Sequence, residues 1–169
     1  MQTSTGAPTG RVFADWYREE FPRVSRALAL ATGDPSLGEE VAAEAFARAL
    51  TSWSRVGAME CPGGWVYTVA LREAQRTWRR SRLEQRCLER LGRERAAPAP
   101  APDDDLWRAV ARLPPRARTA IALRYVADLP EAEIADVMNI ARGTVAATLS
   151  NARKQLALAL RPVLNGENR

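Results

Sequence analysis

The sequence predicts an all-α protein, built as two small helical domains joined by a Pro/Ala-rich linker. Three observations predict it. Apolar residues recur at helical spacing along both halves, as in Ile134, Val137 and Met138, and no β-branched alternation of the strand type appears. Breaker clusters such as Gly33-Asp34-Pro35 and Asp128-Leu129-Pro130 cut the periodic runs into helix-length pieces. One composition break, Ala96-Ala97-Pro98-Ala99-Pro100-Ala101-Pro102-Asp103-Asp104-Asp105, divides the chain, because alternating Ala-Pro cannot sustain a helix and prefers the extended polyproline form. The expected organisation is a mobile, polar N-terminus at 1–10, a helical domain at 11–95, the linker at 96–105, a second helical domain at 106–161 and a tail at 162–169.

The N-terminal domain reads as three helices. The first runs from about Val12 to Thr32, with Phe13, Trp16, Tyr17, Val24, Leu28 and Ala31 inward. Pro22 is expected to kink or divide it, since proline removes a backbone donor and crowds the turn before it. Gly33-Asp34-Pro35 then stops and restarts the chain: Asp34 can cap the next helix and Pro35 suits its first turn. That second helix extends to about Ser52, with Val41, Ala45, Phe46 and Leu50 as apolar contacts and Glu39, Glu40 and Glu44 on an acidic, exposed side. Gly57, Pro62, Gly63 and Gly64 mark Ser54 to Gly64 as a loop. A long third helix follows from about Trp65 to Arg95. Its first half mixes Trp65, Val66, Val69, Ala70 and Leu71 with Arg72, Arg76, Arg79 and Arg80. From Arg76 onward arginines stand at 76, 79, 80, 82, 86, 90, 93 and 95, against glutamates at 84, 89 and 94. Such a run suits a solvated face. Trp65, Tyr67 and Trp78 interleave with it, and flat rings beside arginines are what single-stranded bases stack on. The spacing of Trp65 to Val69 equally suits a core position.

The C-terminal domain opens with a short apolar face of Leu106, Val110 and Leu113, broken by Pro114-Pro115. Ile121, Leu123 and Tyr125 belong to the next helix. Beyond the break at Pro130, Ile134, Val137 and Met138 form a helix in which Ala135 is small enough for close approach of a neighbour, and Asn139 can end it in the left-handed conformation. Val145 and Leu149, four apart, restart a buried stripe, while Thr144, Thr148, Ser150, Asn151, Arg153 and Lys154 fall largely on the other face. This is the pattern of a helix-turn-helix, whose second helix enters the DNA major groove, and also of an ordinary helical hairpin. Charge favours the first reading. No acidic residue lies between Val137 and Arg161, while Asp128, Glu131, Glu133 and Asp136 precede that stretch, so the second helix is the side a phosphate backbone would meet.

Composition narrows the class further. The 169 residues carry a net charge of +5, with a pI near 10.0, which favours a polyanionic partner. Lys154 is the lone lysine among 25 basic residues, and arginine forks grip phosphate and guanine edges well. There is no histidine, which removes the usual general base and the commonest metal ligand. Two cysteines, Cys61 and Cys87, are too few for a disulfide framework and read as free thiols. Asp103, Asp104 and Asp105 sit in the linker without supporting ligands, so no enzyme, metal site or cofactor is expected. No apolar run approaches a membrane span and the first residues hold no apolar signal core, so a cytoplasmic protein is expected.

The chain resembles bacterial sigma factors of the sigma-70 family, in the two-region form of the extracytoplasmic-function class. Leu113-Pro114-Pro115-Arg116-Ala117-Arg118, Leu123-Arg124-Tyr125, Glu133-Ile134-Ala135, Gly143-Thr144-Val145 and Asn151-Ala152-Arg153 are similar to their region 4. Gly33-Asp34, Glu39-Glu40-Val41, Glu44-Ala45-Phe46, Trp65-Val66, Val69-Ala70 and Arg79-Arg80 are similar to region 2. The resemblance implies a transcription initiation factor that binds core RNA polymerase, directs it to promoters and assists their melting. It implies that Glu40, Glu44 and Arg48 dock on the β′ clamp helices, with the β flap as a second polymerase contact. Trp65, Arg72, Arg76, Arg79 and Arg80, with the loop from Ser54 to Cys61, would handle the −10 element. Arg142, Thr144, Thr148, Ser150, Asn151, Arg153 and Lys154 would read or grip the −35 element. An anti-sigma factor is a further implied partner.

Several positions depart from that family's pattern. Ala43 stands where a polar glutamine is usual, Ala146 and Ala147 replace basic or polar residues, Thr148 replaces an arginine, and Arg72 and Arg76 replace an asparagine and an aspartate. Each lost phosphate contact weakens the salt-dependent part of DNA affinity. The physics of the task agrees with a two-part subunit. Opening a duplex costs about 1.4 kcal/mol per base-pair step, and trapping an unstacked base returns about 1–3 kcal/mol. A small protein therefore biases melting only when something larger holds the duplex. The alternative, a stand-alone helix-turn-helix regulator, leaves the acidic helix and the Arg-Trp helix without a task.

Overall fold

A computed structural model of the chain describes residues 12–90 and 105–164, and all the regular structure among them is helical. The N-terminal half holds α1 (Phe13–Thr32), α2 (Pro35–Thr51), the single turn α3 (Trp53–Val56) and α4 (Pro62–Arg90). The C-terminal half holds α5 (Asp105–Ala111), α6 (Pro115–Tyr125), α7 (Glu131–Met138) and α8 (Arg142–Leu164). The expected N-terminus at 1–10, most of the linker at 96–105, the end of the long helix beyond Arg90 and the end of the tail at 162–169 lie outside the described residues. So do the side chains of Arg82, Arg86, Cys87 and Arg90.

Local chemistry sets the boundaries. Gly33 ends α1 in the left-handed conformation, φ 73°, with its N–H returning to the Ala29 carbonyl. Asp34 then caps α2, its Oδ1 accepting from the N–H groups of Ser36 at 2.9 Å and Leu37 at 3.1 Å, and Pro35 takes the first turn. Pro22 does not divide α1, which runs unbroken from Phe13 to Thr32, the exposed proline lying within it. Two other expectations fail at the next junction. Ser54 to Val56, expected as loop, belong to the helical turn Trp53–Val56, and α4 starts at Pro62, so Gly63 and Gly64 are helical. Proline at the first helical position gives up a donor that has no partner there in any case, which outweighs the two glycines behind it.

The core of the N-terminal half is aromatic at one end. Trp16 packs on Phe46 with centroids 5.0 Å apart and on Trp53 at 4.8 Å, while Phe13 meets Trp53 edge-on at 5.2 Å. At the other end α1 and α2 cross closely. A Cβ on Gly38 would lie 2.3 Å from the Ala29 backbone nitrogen, so only glycine admits this approach. Leu50, expected inward, is 54% exposed, because the small Ala45 and Ala49 already bring α2 against its neighbours. In the C-terminal half Val110, Leu113, Ile121, Leu123, Ile134, Val145, Leu149 and Ala152 form the centre. Leu106 stays 42% exposed and Tyr125 59% exposed, both at the rim rather than inside.

The two halves touch. The last turn of α1 packs on α6, and the first half of α4 packs on α7, so one continuous apolar cluster runs from Trp16 through Ala152. No described helix is long and apolar enough to cross a membrane.

Candidate nucleic-acid and protein interfaces

The turn between α7 and α8 is built by backbone geometry. Asn139 adopts φ 52°, ψ 54°, and its N–H returns to the carbonyls of Ala135 and Asp136, while the Ile140 N–H reaches Ala135 at 3.0 Å. These bonds satisfy carbonyls that a helix end leaves open. The chain re-enters helix at Arg142 with Val145, Leu149 and Ala152 fully buried, which seats α8 against α6 and α7. The expected helix-turn-helix is therefore present, and α8 runs on well past it to Leu164.

All seven residues expected on the outer side of α8 are exposed or half-buried: Arg142, Thr144, Asn151, Arg153 and Lys154 are exposed, Thr148 and Ser150 half-buried. They do not form one stripe. At about 3.6 residues per turn, Ser150, Asn151 and Lys154 lie opposite the buried edge, Thr144 and Thr148 on one flank, and Arg142 and Arg153 on the other. Arg153 is held there, its Nε donating to the Tyr125 hydroxyl at 2.8 Å. Tyr125 is thus a polar partner of the recognition helix, although its place in the sequence suggests only an apolar helix position. Exposed Ala146 and Ala147 leave the outer face short of donors.

On α4, Arg72, Arg76, Arg79 and Arg80 are exposed. Arg72 lies on the rim of a cleft between α4 and the C-terminal half, and Arg79 on a second cleft beside it. Arg76 is turned the other way, donating to Glu73 at 3.3 Å. The rings divide too. Tyr67, expected among the stacking aromatics, is 1% exposed with its hydroxyl unpartnered, and burial pushes its phenol far above the ordinary value. Trp65 and Trp78 are half-buried against the core, so each offers an edge rather than a free face.

On α2, Glu39, Glu40, Ala43, Glu44 and Arg48 are all exposed along one side, opposite the buried Val41, Ala42, Ala45 and Phe46. Arg48 donates to Glu44 at 2.7 Å and to Glu73 of α4 at 3.2 Å, and the Glu44 hydrogen bond holds its guanidinium charged above the ordinary value. Glu40 adds a second carboxylate to this pre-formed, largely acidic surface. Among the described residues no cluster of three or more His, Cys, Asp or Glu side chains could hold a metal ion.

Comparison with known proteins agrees with this geometry. Residues 103–156 match the family model of sigma-70 region 4. The sigma factor RpoE of Bartonella quintana, crystallised with the anti-sigma factor NepR, superposes with a TM-score of 0.70 at 20% identity, covering 88% of this chain and 96% of that one. The anti-anti-sigma factor PhyR of Bartonella quintana, complexed with NepR, superposes with a TM-score of 0.55 at 18% identity, over 87% of this chain and 51% of that one. No curated protein matches the chain. At these identities the superpositions speak for the fold.

Proposed function

We propose that this chain, whose residues 103–156 match the sigma-70 region 4 model, is a sigma-70 family initiation factor that binds core RNA polymerase and directs it to promoters. It acts in the cytoplasm, by binding rather than by catalysis. The observation that carries this reading is the helix-turn-helix inside residues 103–156, with α8 presenting Asn151 and Lys154 outward between Thr144 and Arg153. A recognition helix of this build places its N-terminal turns on base edges and its later cations on phosphates. In this assignment Arg142, Thr144, Thr148, Ser150, Asn151, Arg153 and Lys154 serve the −35 element. Trp65, Arg72, Arg76, Arg79 and Arg80 serve the −10 element, with Arg72 and Arg79 each lining a cleft that Trp78 also lines. Glu40, Glu44 and Arg48 dock on the β′ clamp helices, and the C-terminal half meets the β flap. The shared fold with RpoE bound to NepR supports an anti-sigma factor as a regulator.

Run-off transcription with purified core polymerase on a genomic template library tests the reading. Transcripts with defined starts that appear only when the chain is added are the expected result. The double variant Arg79→Glu, Arg80→Glu should abolish open-complex formation while core binding survives. A chain that binds DNA alone and leaves start sites unchanged is a stand-alone regulator, and the reading fails.

A further inference from the structure

Between Thr144 and Asn151, α8 turns Val145 and Leu149 into the core and leaves Thr144, Ala146, Ala147 and Asn151 exposed, with Thr148 and Ser150 half-buried. This stretch holds no cation and no carboxylate, and Asn151 is its one amide. At about 1.5 Å per residue it spans about 10 Å, which fits inside a major groove about 12 Å wide. Arg142 and Lys154 stand twelve positions apart. They are separated by about 18 Å along the axis, so they overreach the groove at both ends and meet its phosphate walls. Arg153 is held to the flank by its bond to the Tyr125 hydroxyl at 2.8 Å. The first turn of α8 is also bare. A Cβ on Gly143 would meet nothing within 4 Å, so packing inside the chain does not require glycine there, and its absence of side chain lets an outside partner come close.

Base-edge chemistry then narrows the sequence that this surface can read. Guanine presents two acceptors, O6 and N7, which suit the forked donors of Arg or the ammonium of Lys, and cytosine presents an amino donor, which suits a carboxylate. Neither kind of side chain occurs from Thr144 to Asn151. Adenine presents an acceptor, N7, beside a donor, N6, and an Asn amide matches both at once. Thymine projects a C5-methyl that is read by apolar contact, which Ala146 and Ala147 offer at exposed positions. The hydroxyls of Thr144 and Ser150 suit any base and so discriminate little. A reading length of about 10 Å covers about three base pairs at about 3.4 Å each.

We propose that α8 reads a run of about three A·T pairs, with Asn151 on an adenine and Ala146 and Ala147 on thymine methyls, and that it specifies no guanine opposite this stretch. The inference rests on the proposed function for the placement of α8 in the major groove of the −35 element, but base reading is measurable without polymerase.

The test is selection by the full chain from random-sequence duplexes, followed by anisotropy titrations with the enriched duplex. An enriched run of A·T pairs is expected. Replacing its thymines by uracil removes only the C5-methyls and should weaken binding by about fourfold for each methyl buried on the helix. Asn151→Ala should lower the preference for A·T over G·C at one pair by about fivefold or more. Ala147→Arg, a change at an exposed position, should install a guanine preference at one pair. Enrichment of G·C pairs where these two variants act overturns the proposal, as does a selection that enriches no sequence. A uracil duplex that binds as tightly as the thymine duplex overturns it too, because the run is then read through its shape. So does an Ala147→Arg chain that selects the parent's run unchanged. If the A·T reading holds but the chain does not redirect core polymerase in run-off transcription, the base reading stands and the initiation-factor reading is what fails.

Discussion

Replacing Gly38 by alanine should force α1 and α2 apart. The added Cβ would lie 2.3 Å from the Ala29 nitrogen, 2.5 Å from its Cα and 2.8 Å from the Leu28 carbonyl carbon. All three are backbone atoms, so no side chain can rotate out of the way. Bringing the nearest contact to an ordinary separation moves the helices about 1 Å locally, and a gap of that size forfeits about a quarter to a half of each dispersion contact beside it. Overpacking of this kind costs about 1–3 kcal/mol, and a backbone clash belongs at the upper end. Alanine recovers about 1 kcal/mol of helix propensity. The net loss is then about 2 kcal/mol, or about 4–8 °C in melting temperature for a chain of this size. Gly63→Ala is the matched control. It is also helical, but a Cβ there meets nothing within 4 Å, so it should stabilise by about 0.5 kcal/mol. Thermal melts followed by circular dichroism read both. A Gly38→Ala chain that melts with or above the parent would refute the close-crossing argument.

Four further outcomes are expected. Asp34→Ala removes two cap bonds from α2 and should cost about 1 kcal/mol in urea unfolding, an unchanged midpoint counting against the cap. Glu40→Arg with Glu44→Arg inverts the α2 surface and should weaken core polymerase binding by about tenfold or more in a titration, with equal affinity removing the docking face. Arg153→Ala should flatten the salt dependence of duplex binding by about one unit of slope; Tyr125→Phe should do so less, because it frees Arg153 without deleting it. Burial, then the Glu133 hydrogen bond, pushes the Cys61 thiol above its ordinary value. Its stabilising contact is therefore present below the unfolded thiol's value and is lost as pH climbs through the folded one. Alkylation of the Cys61 peptide near pH 8, read by mass spectrometry, should be slower than in the unfolded chain and faster after Glu133→Gln. Equal rates would contradict the contact.

Much of the fold was legible because its signals are local. Asp34-Pro35 announces a helix start, Gly33 and Asn139 announce ends, and the 145–149 spacing announces the buried edge of α8, each through interactions spanning four residues or fewer. Misreadings arose where a local rule met a neighbour. Gly63 and Gly64 suggest loop, yet Pro62 starts a helix whose apolar face has α2 to pack on. Leu50 and Tyr125 fit an apolar period, but the surfaces they would cover are already filled. The candidate site divides the same way. Residue types on α2, α4 and α8 were readable from charge and spacing, whereas their partners were not: Glu73 turning Arg76 away, Tyr125 holding Arg153, and burial taking Tyr67 out of the aromatic set.

The sequence by itself determined two helical halves, a helix-turn-helix in the second and the face each charged helix turns outward, because helical periodicity and capping are properties of neighbours along the chain. Only the tertiary structure decided that the halves rest on each other. The bonds that do this join Arg118 to Ala31 and Thr32, and Cys61 to Glu133, across 72 to 87 positions. No periodicity couples residues that far apart; a helix end with free carbonyls and a guanidinium find each other only once both helices exist.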